Sequence, residues 1–339
     1  MTEGPGSDGR VDRMKAILCR KPGRPDVLKL DEIETPSVAQ DAVLVRVHAA
    51  SVNPVDFFPL SGVAYAARLL SGGFRAKPVV LGTDFAGTVE AVGKSVTEFK
   101  PGDQVFGGKD RSTFAEYVAL AANGAVVAKP ANVTFDQAAA VPVAAITALQ
   151  ALRDHGRLRQ GQKVLINGAS GGVGSFAVQI AKAFGAHVTA VCSPRNMETA
   201  GALGSERVID YTREDFTRCG EYYDLMIDIA GNRSWSECKR VLVPSGIMVA
   251  AGGSAHTVWG GNSTIRHLIG VRLASIGGTR KVALFIAKLN KADLLVLQTL
   301  MAEGKIIPVI DRCYELNRVP EAFSYMGEGH AKGKIIIRV

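Results

Sequence analysis

A glycine-rich segment near the middle of the chain has the residues and spacing that bind a dinucleotide. From Lys163 to Gly174 it reads KVLINGASGGVG, so an apolar stretch runs directly into a turn rich in glycine. Glycine at position 171 lets the backbone approach a pyrophosphate, and glycine at 174 lets the following helix pack on the strand. The start of that helix supplies N–H groups and partial positive charge for phosphates. The alternative is a tight turn without a ligand. The predicted cofactor contacts here are Ala169, Ser170, Gly171, Gly172, Val173 and Gly174.

The end of the next predicted strand indicates which nucleotide is bound. About 20 residues after the glycines, a carboxylate would bind the ribose hydroxyl of NAD, but this chain reads Cys192-Ser193-Pro194-Arg195-Asn196. The Ser193 hydroxyl and the Arg195 guanidinium suit a phosphate dianion, which an acid would repel. The pattern therefore favours NADPH over NADH. The alternative for Arg195 is a solvated residue at a helix start, and Tyr211, after the third strand, is either a further phosphate donor or a plain surface tyrosine.

Small residues and lysines provide further candidate cofactor contacts. Ala230, Ala251 and Gly252 follow later predicted strands at the carboxyl edge of the sheet, where they either leave room for nicotinamide or simply form turns. Near the C-terminus, Lys332 and Lys334 are candidates to face the pyrophosphate. For both lysines we nevertheless prefer a solvated edge strand.

The elements that must position these residues fall into two patterns. Residues 14–128 contain short apolar segments separated by Gly and Pro, which predicts a mostly β domain. From about Thr134 the pattern alternates between strands and helices, which predicts a buried parallel sheet covered by helices. We expect its last strand at Leu273–Ile276, then one long helix at Val282–Glu303 and a strand at Lys334–Val339 that returns to the first domain. A helix is also expected over Phe135–His155.

Composition limits the classes of function. The net charge is +8, but the 40 Lys and Arg residues are spread along the chain rather than gathered in runs, so neither nucleic acid nor a membrane surface is the expected partner. Five separated cysteines without a Cys-x-x-Cys pair indicate a reducing compartment. Residues 1–13 have no apolar core and are predicted to be a disordered tail rather than a secretion signal or a transit peptide. No apolar run is long enough to span a membrane. We expect a soluble, cytoplasmic protein.

The motifs taken together resemble the medium-chain dehydrogenase/reductase superfamily, specifically its zinc-independent quinone oxidoreductase and enone (alkenal) reductase branch. The resemblance implies an α/β protein: a Rossmann doubly wound parallel sheet at 137–278, inserted into a mostly β, GroES-like catalytic domain at 14–136 and 279–339. It also implies a homodimer and a contact of Thr147 with the nicotinamide ribose, although Thr147 equally suits an ordinary buried helix position. The segments that carry the resemblance, besides the glycine-rich turn, are NPVD at 53–56, LGTDFAG at 81–87, KPGD at 100–103, AAVP at 139–142 and GHAKGKI at 329–335.

A metal site is not expected. Zinc-dependent relatives in this superfamily bind the catalytic ion through Cys and His at sites that here correspond to Asn53, Thr83 and the neighbourhood of Pro142. The lobe with four cysteines that binds a structural zinc is absent between Gly102 and Tyr117, and the six histidines show no ligand spacing.

Without a metal, the resemblance implies reduction of an enone or quinone rather than oxidation of a plain alcohol. Hydride would go to the β-carbon, and the Asn53 amide or a ribose hydroxyl would stabilise the enolate. Asn53 equally suits an N-cap, with Asp56 in the first helical turn. Asp84 would orient the substrate or cofactor, or would have only a structural role in the local turn. Relatives carry a proton-donating Tyr or Lys shortly after the position of Asp56; this chain has Phe57 and Phe58 there, which leaves Tyr65 as the substitute.

Two other functions stay open at this stage. The first is an NADPH-dependent ketone or aldehyde reductase. The second is a non-catalytic NADPH-binding sensor or crystallin-like protein.

Overall fold

The computed structural model describes residues 12–61, 78–251, 279–329 and 331–339. The predictions for Tyr65, Gly252, the strand at Leu273–Ile276 and most of the N-terminal tail lie outside these residues.

The N-terminal part of the chain is mostly β, as predicted. Strand β1 is flanked by β2 and β4 in a three-stranded sheet, and the other strands belong to a second, larger sheet. Residues that face the interior of the larger sheet, such as Val43, Val45 and Val47, are almost fully buried. The eight strands are β1 (Arg13–Cys19), β2 (Leu28–Glu34), β3 (Ala42–Val52), β4 (Val79–Val80), β5 (Asp84–Val92), β6 (Gln104–Gly108), β7 (Tyr117–Ala121) and β8 (Val126–Ala128).

The middle of the chain forms a parallel sheet of six strands, in the order β11-β10-β9-β12-β13-β14. This is the strand order of the doubly wound dinucleotide-binding fold. Its central strand is apolar on both faces, and Val164, Leu165 and Ile166 are fully buried. The strands are β9 (Lys163–Asn167), β10 (His187–Cys192), β11 (Arg207–Asp210), β12 (Tyr223–Asp228), β13 (Leu242–Ala250) and β14 (Lys281–Leu284).

The last two strands return the chain to the first unit. Strand β16 (Lys334–Arg338) lies between β15 (Ile310–Glu315) and β3, so the larger sheet has seven strands with the order β15-β16-β3-β5-β6-β8 and with β7 on β3. It follows that β16 is an inner strand. The prediction that Lys334 lies on a solvated edge strand is therefore wrong, and this lysine is only 3% exposed.

Helices surround the parallel sheet and join the two units. The N-terminus of α1 is closed by a capping box between Thr134 and Gln137. Helix α2 continues into a single π-helical turn at Ala151–His155. The α-helices are α1 (Phe135–Ala139), α2 (Pro142–Gln150), α3 (Gly172–Ala183), α4 (Met197–Ala202), α5 (Trp235–Cys238), α6 (Lys291–Ala302) and α7 (Val319–Gly327). Across the part of the chain that the structure describes, no helix is long and apolar enough to cross a membrane.

Two predicted helices differ from the structure. The helix expected over Phe135–His155 is interrupted before Pro142, which begins α2 because proline has no N–H to donate within a helix. The helix expected over Val282–Glu303 begins only at Lys291, after the Asn290 side chain accepts a hydrogen bond from Asp293 N. The preceding residues pair in parallel with β13 as strand β14. The parallel sheet thus extends beyond residue 278, where the sequence analysis had placed its boundary.

The two units share one apolar core. Ala49, Ala86 and Phe106 of the seven-stranded sheet belong to the same buried cluster as Val164 and Phe176 of the nucleotide unit. The relative position of the two units is therefore held by packing.

Candidate active site

The glycine-rich turn adopts the conformation that a dinucleotide requires. Strand β9 ends at Asn167, and Gly168 follows with φ +89°, a region that favours glycine. Gly171 is the N-cap of α3 and makes no side-chain cap, and the first turn of this helix contains no acidic residue. The helix therefore presents its partial positive charge to a phosphate without an internal competitor.

Gly171 and Gly174 have different steric surroundings. A Cβ at Gly174 would lie 2.1 Å from the Gly168 carbonyl oxygen, so no larger residue fits between helix and strand. A Cβ at Gly171 would meet only that same oxygen, at 3.7 Å. The open space at Gly171 is the close backbone approach that a pyrophosphate needs. The turn therefore fits the dinucleotide that its sequence predicts.

The residues predicted to select NADPH lie beside one another. Strands β10 and β11 are parallel neighbours in which Cys192 pairs with Asp210, so Ser193 and Tyr211 follow paired positions. The Ser193 hydroxyl accepts a hydrogen bond of 3.0 Å from the Asn196 amide. Arg195 is exposed, and Tyr211 is 47% exposed. A hydroxyl, a guanidinium and a phenol thus occur at one end of the sheet, which suits a phosphate dianion.

A cleft of about 160 Å³ lies next to the turn, and Lys332 belongs to its lining. Ala169 and Ser170 form one wall, whereas Asn196 and Thr199 come from the segment after β10. The Lys332 backbone N–H donates to the Asp311 carboxylate at 2.8 Å. Lys332 is exposed and lies just before β16, and its contact with the pyrophosphate stays a prediction.

The remaining predicted cofactor contacts differ in accessibility. Ala230 follows β12 and is exposed, but Ala251 follows β13 and is only 1% exposed. Thr147 is buried in α2, and its hydroxyl donates to the Val143 carbonyl at 2.7 Å. Thr147 thus has the hydrogen bond of an ordinary helix threonine.

Asn53, Asp56 and Asp84 form one buried cluster, although they lie on different segments. The Asn53 backbone N–H donates to Asp56 Oδ2 at 2.8 Å, which is the reciprocal half of a capping box. Thr83 Oγ1 donates to Asp56 Oδ1 at 2.8 Å. Asp84 Oδ2 accepts from Ser51 Oγ at 2.9 Å and from Asn53 Nδ2 at 2.8 Å. We call these five residues, together with Lys334, the polar cluster.

The side chain of Asn53 has no free hydrogen to offer a substrate. Its Nδ2 donates to Asp84 and, at 3.3 Å, to the Ser51 carbonyl, and an amide nitrogen carries only two hydrogens. The suggested role of this amide as a donor to an enolate therefore does not agree with the geometry. The structure places Asn53 at the N-cap of a helical turn, as the second alternative expected, and uses its side-chain amide within the polar cluster.

Lys334 completes the polar cluster, whereas its sequence position suggested a contact with the pyrophosphate or a solvated edge strand. Its ammonium nitrogen lies 2.5 Å from Asn53 Oδ1, 3.3 Å from the Val52 carbonyl oxygen and 3.6 Å from Asp84 Oδ2. The signal that could have found it is a lysine directly before the apolar run Ile335-Ile336-Ile337. A lysine within a buried strand needs a partner for its charge.

Burial dominates the electrostatics of the polar cluster. It raises the pKa of Asp56 to about 7, although hydrogen bonds from Thr83 and Asn53 oppose this change. Burial also raises the pKa of Asp84, although the nearby Lys334 ammonium opposes this change. It lowers the pKa of Lys334, although the carboxylates of Asp84 and Asp56 oppose that change. The cluster therefore contains two buried acids and one base, and each of them is shifted toward its neutral form.

The described residues contain no group of three or more His, Cys, Asp or Glu side chains that could hold a metal ion.

Comparison with known proteins agrees with this geometry. Residues 39–143 match the family "Alcohol dehydrogenase GroES-like domain", and residues 203–337 match "Zinc-binding dehydrogenase". The mitochondrial NAD(P)H oxidoreductase RTN4IP1 of Mus musculus is 34% identical over 98% of this chain and 91% of its own length. The chloroplastic NADPH-dependent alkenal/one oxidoreductase of Arabidopsis thaliana is 32% identical over 96% of this chain and 79% of its own length.

A solved structure extends the likeness to three dimensions. The quinone oxidoreductase from Coxiella burnetii superposes with a TM-score of 0.83 and 32% identity, covering 97% of this chain and all of the other. The GroES-like unit, the parallel dinucleotide-binding sheet and the sequence similarity along the whole chain agree with one another. The chain belongs to the medium-chain dehydrogenase/reductase superfamily, in the branch of the quinone oxidoreductases and alkenal/one reductases.

Proposed function

We propose that this oxidoreductase uses NADPH to reduce an activated C=C bond or a quinone, without zinc. The observation that carries the cofactor assignment is the end of β10, where Ser193 and Arg195 follow the strand and no carboxylate does. Tyr211 follows the neighbouring strand β11 at the same end of the sheet. The name of the Arabidopsis relative, which includes both NADPH and alkenal/one substrates, supports the same assignment.

The chain's own residues would bind and orient the cofactor. The N-terminus of α3 and the open space at Gly171 suit the pyrophosphate, and Ser193, Arg195 and Tyr211 suit the 2′-phosphate. Ser170, within the turn, and Lys332 line the adjacent cleft and would contribute further donors. When bound, NADPH supplies the hydride.

Reduction of an enone or quinone does not need a metal at the position of Asn53. In the structure this side chain is held by Lys334, and a buried ammonium beside it disfavours a divalent cation at the same place. Hydride addition to a conjugated β-carbon puts negative charge on the carbonyl oxygen, and water can supply the final proton. A plain ketone or aldehyde lacks this delocalisation and would depend more on a Lewis acid.

The first experiment is NADPH oxidation at 340 nm with short alkenals, cyclic enones, quinones and simple ketones, in parallel with NADH. We expect turnover of enones or quinones, preference for NADPH and no effect of prior EDTA treatment. Loss of activity in EDTA would contradict the metal-free mechanism. Turnover of simple ketones alone would favour the ketone reductase, and fluorescence quenching by NADPH without turnover would favour a non-catalytic sensor.

Two further expectations stay predictions. The homodimer rests on the family resemblance and can be tested by light scattering. The cytoplasmic location also stays a prediction, because the mouse relative is named mitochondrial and the Arabidopsis relative chloroplastic.

A further inference from the structure

The segment Gly333-Lys334 touches the nucleotide-binding turn. Gly333 and Gly171 form a parallel bridge, and the Gly333 backbone N–H donates to the Ser170 carbonyl at 3.0 Å. Gly333 has φ +89°, and a Cβ at this position would lie 2.3 Å from the Val309 carbonyl oxygen. The start of β16 is therefore fixed against the turn through its backbone.

The aliphatic part of Lys334 makes a second contact with the turn. A Cβ added to Gly172, the first residue of α3, would lie 3.0 Å from Lys334 Cδ and 3.6 Å from the Gly333 carbonyl oxygen. The position at 172 thus faces β16. A side chain at position 172 would therefore crowd the lysine stem.

The ammonium of Lys334 makes its contacts at the other end, in the polar cluster. It can donate three hydrogen bonds, and Val52 O, Asn53 Oδ1 and Asp84 Oδ2 surround it. One side chain therefore contacts both the turn that holds the cofactor phosphates and the residues near the N-terminus of α2. Both Lys334 and Asp84 are almost completely buried, so water does not weaken this connection.

Asp84 extends the connection one step further. Its Oδ1 accepts the Val143 backbone N–H at 3.0 Å, in the first turn of α2, the helix that carries Thr147. Lys334 thus joins three parts of the molecule. Its ammonium contacts Asp84, which binds α2, and the Asn53 segment, and its stem packs at Gly172 of the phosphate-binding turn.

We propose that Lys334 is a positioning residue that holds the polar cluster in register with the bound nucleotide. The proposal has two parts, and only the expected effect of Lys334 on turnover rests on the proposed function. Its structural part, the coupling of Lys334 to Gly172, is independent of any reaction. Lys334 is fully engaged with protein groups, so we assign it no direct contact with substrate.

The test of the structural part is a double-mutant cycle on the free energy of unfolding. Gly172→Ala requires the lysine stem to shift by a few tenths of an ångström, so we expect the substitution to be less favourable for stability in the parent chain than in a chain without the stem. Lys334→Ala vacates that space. The factor by which Gly172→Ala lowers the folding equilibrium constant should therefore be at least about threefold smaller in the Lys334→Ala background than in the parent chain. Equal costs in the two backgrounds would overturn the proposal, whether or not the protein turns over any acceptor.

The test of the functional part uses Lys334→Met, which keeps the stem and removes the charge. We expect kcat to fall at least about tenfold while the NADPH dissociation constant, measured by fluorescence, changes less than about threefold. The matched control is Arg338→Met on the same strand, which removes only the exposed pair with Asp136 and should leave both quantities unchanged. A wild-type kcat in Lys334→Met would refute the positioning role.

Stability can be separated from positioning by a second variant. If Lys334→Met does not fold, the double variant Lys334→Met/Asp84→Asn removes both buried charges together, and we expect it to fold with the same low kcat. Normal turnover in the double variant would overturn the proposal. If the wild-type chain reduces no acceptor, the proposed function fails, and the Gly172 cycle alone decides whether the lysine positions the turn.

Discussion

The carboxylate of Asp84 accepts a hydrogen bond from the backbone N–H of Val143 at 3.0 Å. Asp84 begins β5 of the seven-stranded sheet, whereas Val143 lies in the first turn of α2, next to the dinucleotide-binding unit. An acid at the N-terminus of a helix is stabilised by its unpaired amides. The same carboxylate approaches Lys334 of its own sheet through its other oxygen, so one side chain contacts both the N-terminus of α2 and the ammonium of the polar cluster.

This arrangement predicts that Asp84→Asn is costly. The amide cannot balance the buried ammonium, and its NH₂ group faces donors where the carboxylate had accepted hydrogen bonds. We expect a loss of about 3 kcal/mol in the free energy of unfolding and a large loss of kcat. Urea unfolding and NADPH oxidation would measure the two effects.

The control is Asp136→Asn, which breaks a more accessible ion pair with Arg338. It should cost less than about 1 kcal/mol. Equal losses of stability in the two variants would contradict the conclusion that Asp84 balances a buried ammonium.

The features of the site that the sequence predicts correctly depend on residues that are close together in the chain. The turn from Gly168 to Gly174 and the strand that precedes it were predictable because the glycines satisfy constraints within one short segment. The end of β10 was predictable for the same reason. Lys334 was not, because its partners Asn53 and Asp84 are about 280 and 250 residues away in the chain, and only the fold brings them together.

The predicted start of the helix at Val282 was wrong for a related reason. The stretch after Lys281 is apolar enough for a helix, but its backbone groups are taken by β13. Whether a segment forms the edge strand of a parallel sheet depends on the neighbouring strand, and the local sequence pattern does not reveal that neighbour. The capping residue Asn290 was a usable local signal for the true helix start.

The glycine-rich turn predicts opposite outcomes for two similar substitutions. Gly171→Ala should leave the melting temperature nearly unchanged, because its Cβ has room, but weaken NADPH binding at least about tenfold, because the methyl occupies the space of the pyrophosphate. Gly174→Ala should lower the melting temperature strongly, because its Cβ would overlap the Gly168 carbonyl oxygen. Thermal unfolding and fluorescence titration of both variants provide the measurements. Similar effects of the two variants on stability would be inconsistent with this geometry.

Selection of NADPH over NADH can be tested at Arg195. Replacing it with alanine removes a charge-assisted partner for the 2′-phosphate, which is worth about 1.5–3 kcal/mol. We expect kcat/KM for NADPH to fall at least about tenfold and that for NADH to stay within about twofold.

Arg218→Ala is the matched control for Arg195→Ala. This arginine is 72% exposed and pairs with Asp215 outside the cleft, so its loss should leave the preference unchanged. An Arg195 variant that retains full selectivity would mean that Ser193 and Tyr211 suffice.

The pH dependence of stability should report the ionisation of Asp56. Burial raises the pKa of this group in the folded protein to about 7, whereas its ordinary value is 3.8. Between these two values the unfolded chain has released the proton and the folded protein still holds it. The free energy of unfolding therefore falls as pH rises from about 4 to about 7, by up to about 1.4 kcal/mol per pH unit. Below and above this window the contribution of Asp56 is constant.

Asp56→Asn removes that contribution, because an amide does not ionise in this range. Relative to the wild type, the variant should gain stability steadily between pH 4 and pH 7, as measured by urea unfolding at half-unit steps. Asp84 and Lys334 interact with Asp56, so the difference reports the ionisation of Asp56 together with the change that its loss causes in these two groups. Asp110→Asn is the control, since that side chain is 84% exposed and its curve should run parallel to that of the wild type. A parallel curve for Asp56→Asn as well would mean that Asp56 is ionised throughout, and that the ammonium of Lys334 outweighs the burial of the cluster.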